Sequence, residues 1–171
     1  MNELHTLYSS SFNSENADQV QNAMIAMWGE ADPLIDLDEV EAVVEELLDN
    51  TLRHSGPGAG TLSLLRCDQR IVARVEDSGV GIHHNMAAAS EEISVELAFE
   101  PGPLGTSTGS GLRGGGLWLA KAATAAVPGL TLALYSGNTC YTASNGEGRI
   151  CSGSGDFHQG VIVELICPLS E

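Results

Sequence analysis

The sequence predicts an α+β domain, a two-layer sandwich in which helices cover one face of a mainly antiparallel sheet. Three observations support this prediction. Two helical patterns occupy the first third of the chain, a strand hairpin follows them, and the last third returns to strand patterns after one more helix. At 171 residues the chain is the size of one domain, and no repeat or linker divides it.

The first two helices are predicted from apolar residues at helical spacing. Residues 17–29 have this spacing and end at Gly29, where a helix stop is expected. A stronger apolar stripe follows Asp38, which forms a capping-box-like pattern with Glu41, and it continues to about His54. Residues 17–54 are therefore expected to form the N-terminal helices, and His5 is expected to lie in a disordered tail before them.

The middle of the chain is predicted to change from a hairpin to a long irregular insert. TLSLLRC and IVARVED alternate as strands do, with a short polar link at residues 68–70. Residues 83–113 then offer only a weak helix near 86–99, before a run of Pro, Gly, Ser and Thr. So long an insert is expected to be a functional lid.

The last part of the chain is predicted to supply one helix and the C-terminal strands. Residues 117–127 are helical in pattern and stop at a Pro-Gly pair. LTLALYS and VIVELICPL read as strands within residues 130–167, and a weak hairpin at 140–144 and 149–151 is predicted between them.

Composition narrows the classes of function. The net charge is −16 with seven basic residues, so the long-range field should repel nucleic acid and anionic membranes. No apolar run approaches the length of a membrane span, and MNELHTLYSS has neither the basic leader nor the apolar core of a secretion signal. The four cysteines are scattered without metal or disulfide spacing, so reduced thiols and a cytoplasmic location are expected.

One polar strip on the second helix could carry chemistry. Glu46, Asn50, Arg53 and His54 follow one another at positions i, i+4, i+7 and i+8, on one side of the apolar stripe. Glu46 could orient water or accept a proton, and the Asn50 carbonyl oxygen is a hard donor for Mg²⁺. A solvated helix face is the alternative interpretation.

The segment VEDSGVGI places an acid where a buried row of side chains ends. Strand alternation puts Asp77 on the same face as Val75, so its carboxylate should point inward and need a hydrogen-bond donor. The adenine amine is such a donor, whereas guanine would present an acceptor. Gly79 and Gly81 would let the backbone approach a ligand closely, although a simple hairpin turn is the alternative.

A glycine-rich run precedes the third helix. In TSTGSGLRGGGLWLAKA the backbone N–H groups at the helix N-terminus could bind phosphate. Arg113 or Lys121 could add one cation. A flexible loop is the alternative.

The order of these segments resembles the family of ATP-binding domains shared by DNA gyrase, the cytosolic heat-shock chaperone, histidine kinases and MutL, known as GHKL. EELLDNTLRH resembles its N box, VEDSGVGI its D-x-G-x-G box, GGGLWLAKA its last glycine box, and GVIVELICPL its closing strand. The resemblance implies the Bergerat fold with a long ATP lid, and ATP and Mg²⁺ as cofactors. It implies that Glu46 is the general base, Asn50 the Mg²⁺ ligand and Asp77 the adenine reader. The remaining implied nucleotide-binding residues are Arg53, His54, Gly79, Gly81, Ile82, Arg113, Gly114, Gly115, Gly116 and Leu117.

Two departures from the family pattern matter. Gly160 is followed by Val161 where the family usually has threonine, so a water contact to adenine is in doubt. The glycine box could also align on Gly109 and Gly111, although the leucines after Gly116 favour the later alignment.

Three functions are compatible with the resemblance. The chain could be a kinase that phosphorylates serine or histidine on a protein partner, in the style of stand-alone anti-sigma-factor serine kinases. It could instead be a nucleotide-gated binding switch in signalling, or a dimeric ATPase. A protein partner is expected in the first two, and neither nucleic acid nor a membrane in any.

Overall fold

The computed structural model describes residues 4–86, 88–101, 116–151 and 156–170, and these contain four helices and seven strands. The helices are α1 (Ala17–Ala31), α2 (Leu37–His54), α3 (Glu91–Ala98) and α4 (Gly116–Ala126). The strands are β1 (Leu4–Asn13), β2 (Ala59–Cys67), β3 (Arg70–Glu76), β4 (Thr131–Gly137), β5 (Thr139–Ser144), β6 (Glu147–Cys151) and β7 (His158–Pro168). A single 3-10 turn, His83–Asn85, lies between β3 and α3.

The strands form one sheet in the order β1-β2-β3-β7-β4-β5-β6. Every pair formed by the described strands is antiparallel, which confirms the predicted α+β class with its antiparallel sheet. The C-terminal strand β7 lies between β3 and β4, so it joins the N-terminal hairpin to the C-terminal strands. The end of β3, where Asp77 follows, is therefore near the middle of the sheet.

Strand alternation separates the two faces of the sheet. Ile71, Ala73 and Val75 of β3 are buried and belong to the same core cluster as Trp28 of α1 and Leu48 of α2. We call the opposite side the open face; its central strands carry charged side chains, including Arg74 and its register partner Glu164. The helices thus pack on one side of the sheet, as the sequence predicts.

Two N-terminal details differ from the sequence expectations. His5 does not lie in a disordered tail, because β1 pairs with β2 along its whole length and places His5 opposite Arg66. Helix α2 begins at Leu37, and its cap is Asp36, whose side chain accepts a hydrogen bond from the Asp38 backbone N–H at 3.2 Å. Asp36 precedes Glu39 by three residues, so it matches the capping pattern as well as Asp38 does.

The start of the predicted lid is folded. Helix α3 buries Val95, and the Phe99 ring beyond it stacks on Tyr141 of β5 at 4.0 Å between centroids. At the other end of α3, the Glu91 carboxylate accepts hydrogen bonds at 2.8 Å from the Asn138 backbone and the Thr139 hydroxyl. Helix α3 lies within the weak helix predicted near 86–99, so the first part of the predicted lid, 83–113, is a folded segment. Residues 102–113 lie outside the described residues, so a lid there stays a prediction.

The weak hairpin predicted near residues 140–151 is present as β5 and β6. Asn145 and Gly146 form its two-residue turn, and both have positive φ. This is the type I′ geometry that an Asn-Gly pair favours. Among the described helices none has the length and apolar character needed to span a membrane.

Candidate functional site

Asp77 lies where the sequence places it, at the inner end of β3. Its side chain is only 6% exposed. The Oδ1 atom accepts hydrogen bonds from the backbone N–H of Gly79 at 2.9 Å and of Val161 at 3.3 Å. The Asp77 backbone N–H in turn donates to the Val161 carbonyl oxygen at 2.9 Å. The carboxylate is thus fixed between the turn after β3 and strand β7.

Burial is the main influence on the charge of this acid. It raises the pKa of Asp77 above the ordinary 3.8, although the two N–H donors and His158 act in the opposite direction. Because its pKa is raised, Asp77 stabilises the folded state below pH 3.8, and this contribution is lost as pH rises through the pKa of Asp77 in the folded protein. At neutral pH the ionised carboxylate therefore lowers the stability of the fold. A buried acid with a raised pKa is a candidate for a functional role.

The turn after Asp77 requires glycine because it packs directly on the end of α2. A Cβ at Gly79 would overlap the carbonyl group of Ser55, the residue that caps α2. The Val80 backbone N–H donates to that same carbonyl oxygen at 3.1 Å. Gly81 has φ +78°, a conformation that other residues rarely adopt. The N-box helix and the D-x-G-x-G turn are consequently in contact.

Sequence reasoning missed two residues that hold this turn. The Ser136 hydroxyl, on β4, accepts a hydrogen bond from the Ile82 backbone N–H at 3.1 Å and is only 1% exposed. The Gln159 side-chain amide donates to the Gly79 carbonyl oxygen at 2.6 Å. Ser136 is the register partner of Val161, so it reaches the site from the neighbouring strand. Nothing in the sequence gives that register.

Asn50 of α2 packs against the first residue of α4. A Cβ at Gly116 would lie 2.5 Å from Asn50 Nδ2 and 3.3 Å from its Oδ1, so only glycine permits this approach. Among the described residues, Nδ2 is buried and has no hydrogen-bond partner. The N box and the glycine box therefore meet here, and Asn50 keeps hydrogen-bonding capacity for a ligand.

The donor set on α2 fits Mg²⁺. The partly buried Glu46 lies one turn before Asn50, and together they offer a carboxylate and an amide oxygen. No cluster of three His, Cys, Asp or Glu side chains occurs within the described part of the chain.

Arg53 and His54 end the same helix. The Arg53 guanidinium binds Asp49 through two contacts, Nη2 to Oδ2 at 2.9 Å and Nε to Oδ1 at 3.1 Å. That side chain is 38% exposed, so this is a surface pair one turn apart. His54 is partly buried. A nucleotide contact by either residue stays a prediction.

The predicted phosphate-binding glycines are described only in part. Arg113, Gly114 and Gly115 lie outside the described residues, as do Gly109 and Gly111 of the other alignment. Gly116 and Leu117 begin α4 and are both buried. Ile82, the last residue predicted in the adenine turn, is also buried.

These contacts place the three motifs around the end of one helix. The axis of α2 rises about 7.5 Å between Asn50 and Ser55. Asn50 contacts the start of α4, and Ser55 contacts the Gly79 turn. A separate cavity of about 520 Å³ lies on the open face, with Thr142, Arg149 and Ile166 in its wall. None of the predicted site residues lines that cavity.

Comparisons with known proteins identify the family of the chain. Residues 35–169 match the family described as "Histidine kinase-, DNA gyrase B-, and HSP90-like ATPase". Among solved structures, the B subunit of DNA gyrase from Myxococcus xanthus matches with 14% identity and a TM-score of 0.37, covering 88% of this chain and 43% of that one. The chain thus spans less than half the length of that subunit. A search of curated proteins finds no match.

Proposed function

Because the chain belongs to the histidine kinase-, DNA gyrase B- and HSP90-like ATPases, and is thereby an ATP-binding domain, we propose that it binds ATP with Mg²⁺ around Asp77 and Asn50 and acts on a protein partner. The observation that carries the proposal is the meeting of three motifs at the end of α2. The Gly79 turn contacts Ser55, and the start of α4 contacts Asn50.

Adenine would be selected by hydrogen-bond polarity. The Asp77 carboxylate is an acceptor, and the adenine amine supplies the donor that a buried carboxylate requires. Guanine has a carbonyl oxygen at that position, so two acceptors would face each other and stay unpaired. The backbone around Asp77 is held by Ser55, Ser136 and Gln159, so the carboxylate can hold its orientation before a ligand arrives.

The phosphates would lie toward α4 and Asn50. The N-terminus of α4 offers backbone N–H groups and the positive end of the helix dipole, which supply the anion affinity that a chain of net charge −16 otherwise lacks. Bound Mg²⁺ would neutralise charge on the phosphate oxygens. Asn50 would hold the ion by its amide oxygen, and Glu46 would accept the proton of the attacking hydroxyl or water.

Phosphoryl transfer to a serine or histidine of a protein partner is the activity that this arrangement favours. A carboxylate one helical turn from a Mg²⁺ ligand is the feature that catalysis requires and simple binding does not. A nucleotide-gated switch is the second candidate. It is favoured by the anchoring of α3 through Glu91 and Phe99, which fixes the part of the chain just before residue 102.

The test compares two neighbouring residues assigned to different tasks. Asn50→Ala should lose the Mg²⁺ ligand and with it tight ATP binding. Glu46→Ala should still bind ATP, while turnover falls by about 10²–10⁴-fold, because a general base contributes to rate rather than to ground-state affinity. Calorimetry measures the binding, and release of phosphate from ATP measures the turnover.

Glu45→Ala is the matched control, because it removes an exposed carboxylate from the adjacent position of the same helix. It should leave binding and turnover unchanged. Tight Mg²⁺-ATP binding by Asn50→Ala would contradict the site. Full turnover by Glu46→Ala would remove the kinase candidate, and binding without turnover in the wild type would favour the switch.

A further inference from the structure

Two of the four cysteines face each other across the β5–β6 hairpin. Cys140 and Cys151 are register partners, although the sequence separates them by the whole hairpin. All four cysteines are free thiols in this structure. The other two have no cysteine opposite: Cys67 pairs with Arg70, and Cys167 pairs with Ile71.

The Cα spacing expected for this hairpin lies within the range that a disulfide spans. The pairs run from Ser144 and Glu147, which flank the two-residue turn, to Cys140 and Cys151 at the far end. Because hydrogen-bonded and non-hydrogen-bonded pairs alternate, the cysteine pair is of the same hydrogen-bonded type as the pair at the turn, with Cα atoms about 5.5 Å apart. Disulfides span Cα distances of about 4.4–6.8 Å. Directly opposed residues also point to the same face, here the open one.

The two thiols differ in their access to solvent. Cys140 is 5% exposed, whereas Cys151, on the edge strand, is partly exposed. Burial, together with a hydrogen bond between the two thiols, raises the pKa of Cys140 to about 12. The Cys151 thiol also donates to the Thr142 hydroxyl at 3.5 Å. Cys151 is therefore the thiol that a reagent reaches first, and Cys140 is held beside it as a protonated thiol.

We propose that Cys140 and Cys151 form a reversible thiol–disulfide site that exchanges with a small-molecule disulfide such as glutathione disulfide. The Cys151 thiolate attacks one sulfur of the reagent, which forms a mixed disulfide and releases one reduced thiol. Cys140 then attacks the Cys151 sulfur, and its proton passes to the departing thiolate; this forms the Cys140–Cys151 bond and releases the second reduced thiol. Two protein thiols are oxidised and one reagent disulfide is reduced, so the electrons balance.

The site does not depend on the nucleotide-binding proposal, because it lies on the open face and contains no residue of the Asp77 site. Its effect would be to fasten the edge strand β6 to β5 covalently. The wall of the open-face cavity includes Thr142 and Arg149 of the same two strands. Oxidation or reduction of the two thiols would therefore take place beside that cavity.

The experiment equilibrates the folded chain with glutathione disulfide, alkylates the remaining thiols and digests with trypsin. Cleavage after Lys121 and Arg149 separates Cys140 from Cys151, on peptides 122–149 and 150–171. In a Cys167→Ser background, Cys151 is the only cysteine of the second peptide. We expect one species in which the two peptides are linked, with a mass two hydrogen atoms below that of the two free peptides combined. Dithiothreitol should separate this species into the two peptides.

Two variants make the result specific. Cys140→Ser should keep a stable glutathione adduct on Cys151, because the resolving thiol is absent, whereas Cys67→Ser should still give the linked peptides. The proposal is overturned if the chain with both thiols retains the adduct as Cys140→Ser does. It is also overturned if the linkage occurs only between chains, as covalent dimers on a non-reducing gel, or if neither adduct nor linkage forms.

Discussion

Replacing Asp77 with Asn tests the adenine-reading role with little disturbance to the fold. The Asn carbonyl oxygen can accept both N–H bonds that Asp77 Oδ1 now accepts, from Gly79 and Val161. The side-chain NH₂ would then face the adenine amine, donor against donor. Because the pKa of Asp77 is raised, loss of its charge should not destabilise the free protein at neutral pH. Without ligand, we expect the Tm of Asp77→Asn to equal or exceed that of the wild type. The difference between these two Tm values should shrink as pH falls toward 3.8.

The expected loss of affinity can be estimated from the lost hydrogen bond. A hydrogen bond to a charged group contributes about 1.5–3 kcal/mol, so Kd for ATP should rise about ten- to a hundredfold. At a hundredfold excess over the wild-type Kd, ATP stabilises the wild type by about 2.7 kcal/mol, and a hundredfold weaker variant by about 0.4 kcal/mol. For a domain of this size the Tm shift should fall from about 5–11 °C to about 1–2 °C.

Thermal unfolding with Mg²⁺ and either ATP or GTP measures these shifts. The matched control is Asp68→Asn, which removes one carboxylate from the exposed β2–β3 turn, where Asp68 has positive φ that Asn also tolerates. It should keep the full ATP shift. An ATP shift in Asp77→Asn equal to that of the wild type, or a GTP shift as large as the ATP shift in the wild type, would refute the adenine-reading role.

Two further predictions concern the contacts around α4. Gly116→Ala should weaken ATP binding although alanine favours helix, because its Cβ would displace Asn50. The control Gly29→Ala should leave ATP binding unchanged, because a Cβ there meets only the end of the Leu37 side chain at 3.2 Å. Equal ATP affinities of Gly116→Ala and the wild type, measured by calorimetry, would contradict the close-packing argument. Arg113 is the single tryptic site between residues 83 and 113. If a γ-phosphate orders the lid, ATP should slow cleavage at Arg113 more than ADP does. Equal cleavage rates with ATP and with ADP, followed on a gel, would contradict the lid prediction.

Much of the fold and the centre of the site could be predicted because their signals are local. The apolar stripe of α2 and the alternation of β3 each need only a few neighbouring residues to be recognised. Asp77 follows that alternation, so its inward orientation was predictable without knowledge of the sheet order. The close approach of Gly79 to Ser55 was not predicted, because the sequence suggested a ligand contact for Gly79 and Ser55 belongs to another element.

The features that sequence reasoning missed depend on strand register. β1 carries serines and no clear alternation, and it is a strand because β2 offers it an edge. Ser136 reaches the site, and Cys140 meets Cys151, through pairings that no local pattern specifies. The sequence gives only a weak helix signal near 86–99, because α3 is short and depends on contacts from Glu91 and Phe99 to distant strands.

The central position of β7 has a consequence for the order of folding. Asp77 is bonded to Val161, 84 residues later in the chain, so its environment is complete only after β7 has docked beside β3. Pairing across so long a separation carries a large loop-closure cost and tends to be slow. A chain emerging from the ribosome would form the β2–β3 hairpin early, yet it could not complete this carboxylate's surroundings until β7 had been synthesised. Acquisition of ATP binding during refolding should therefore report on the last long-range step rather than on the first helices.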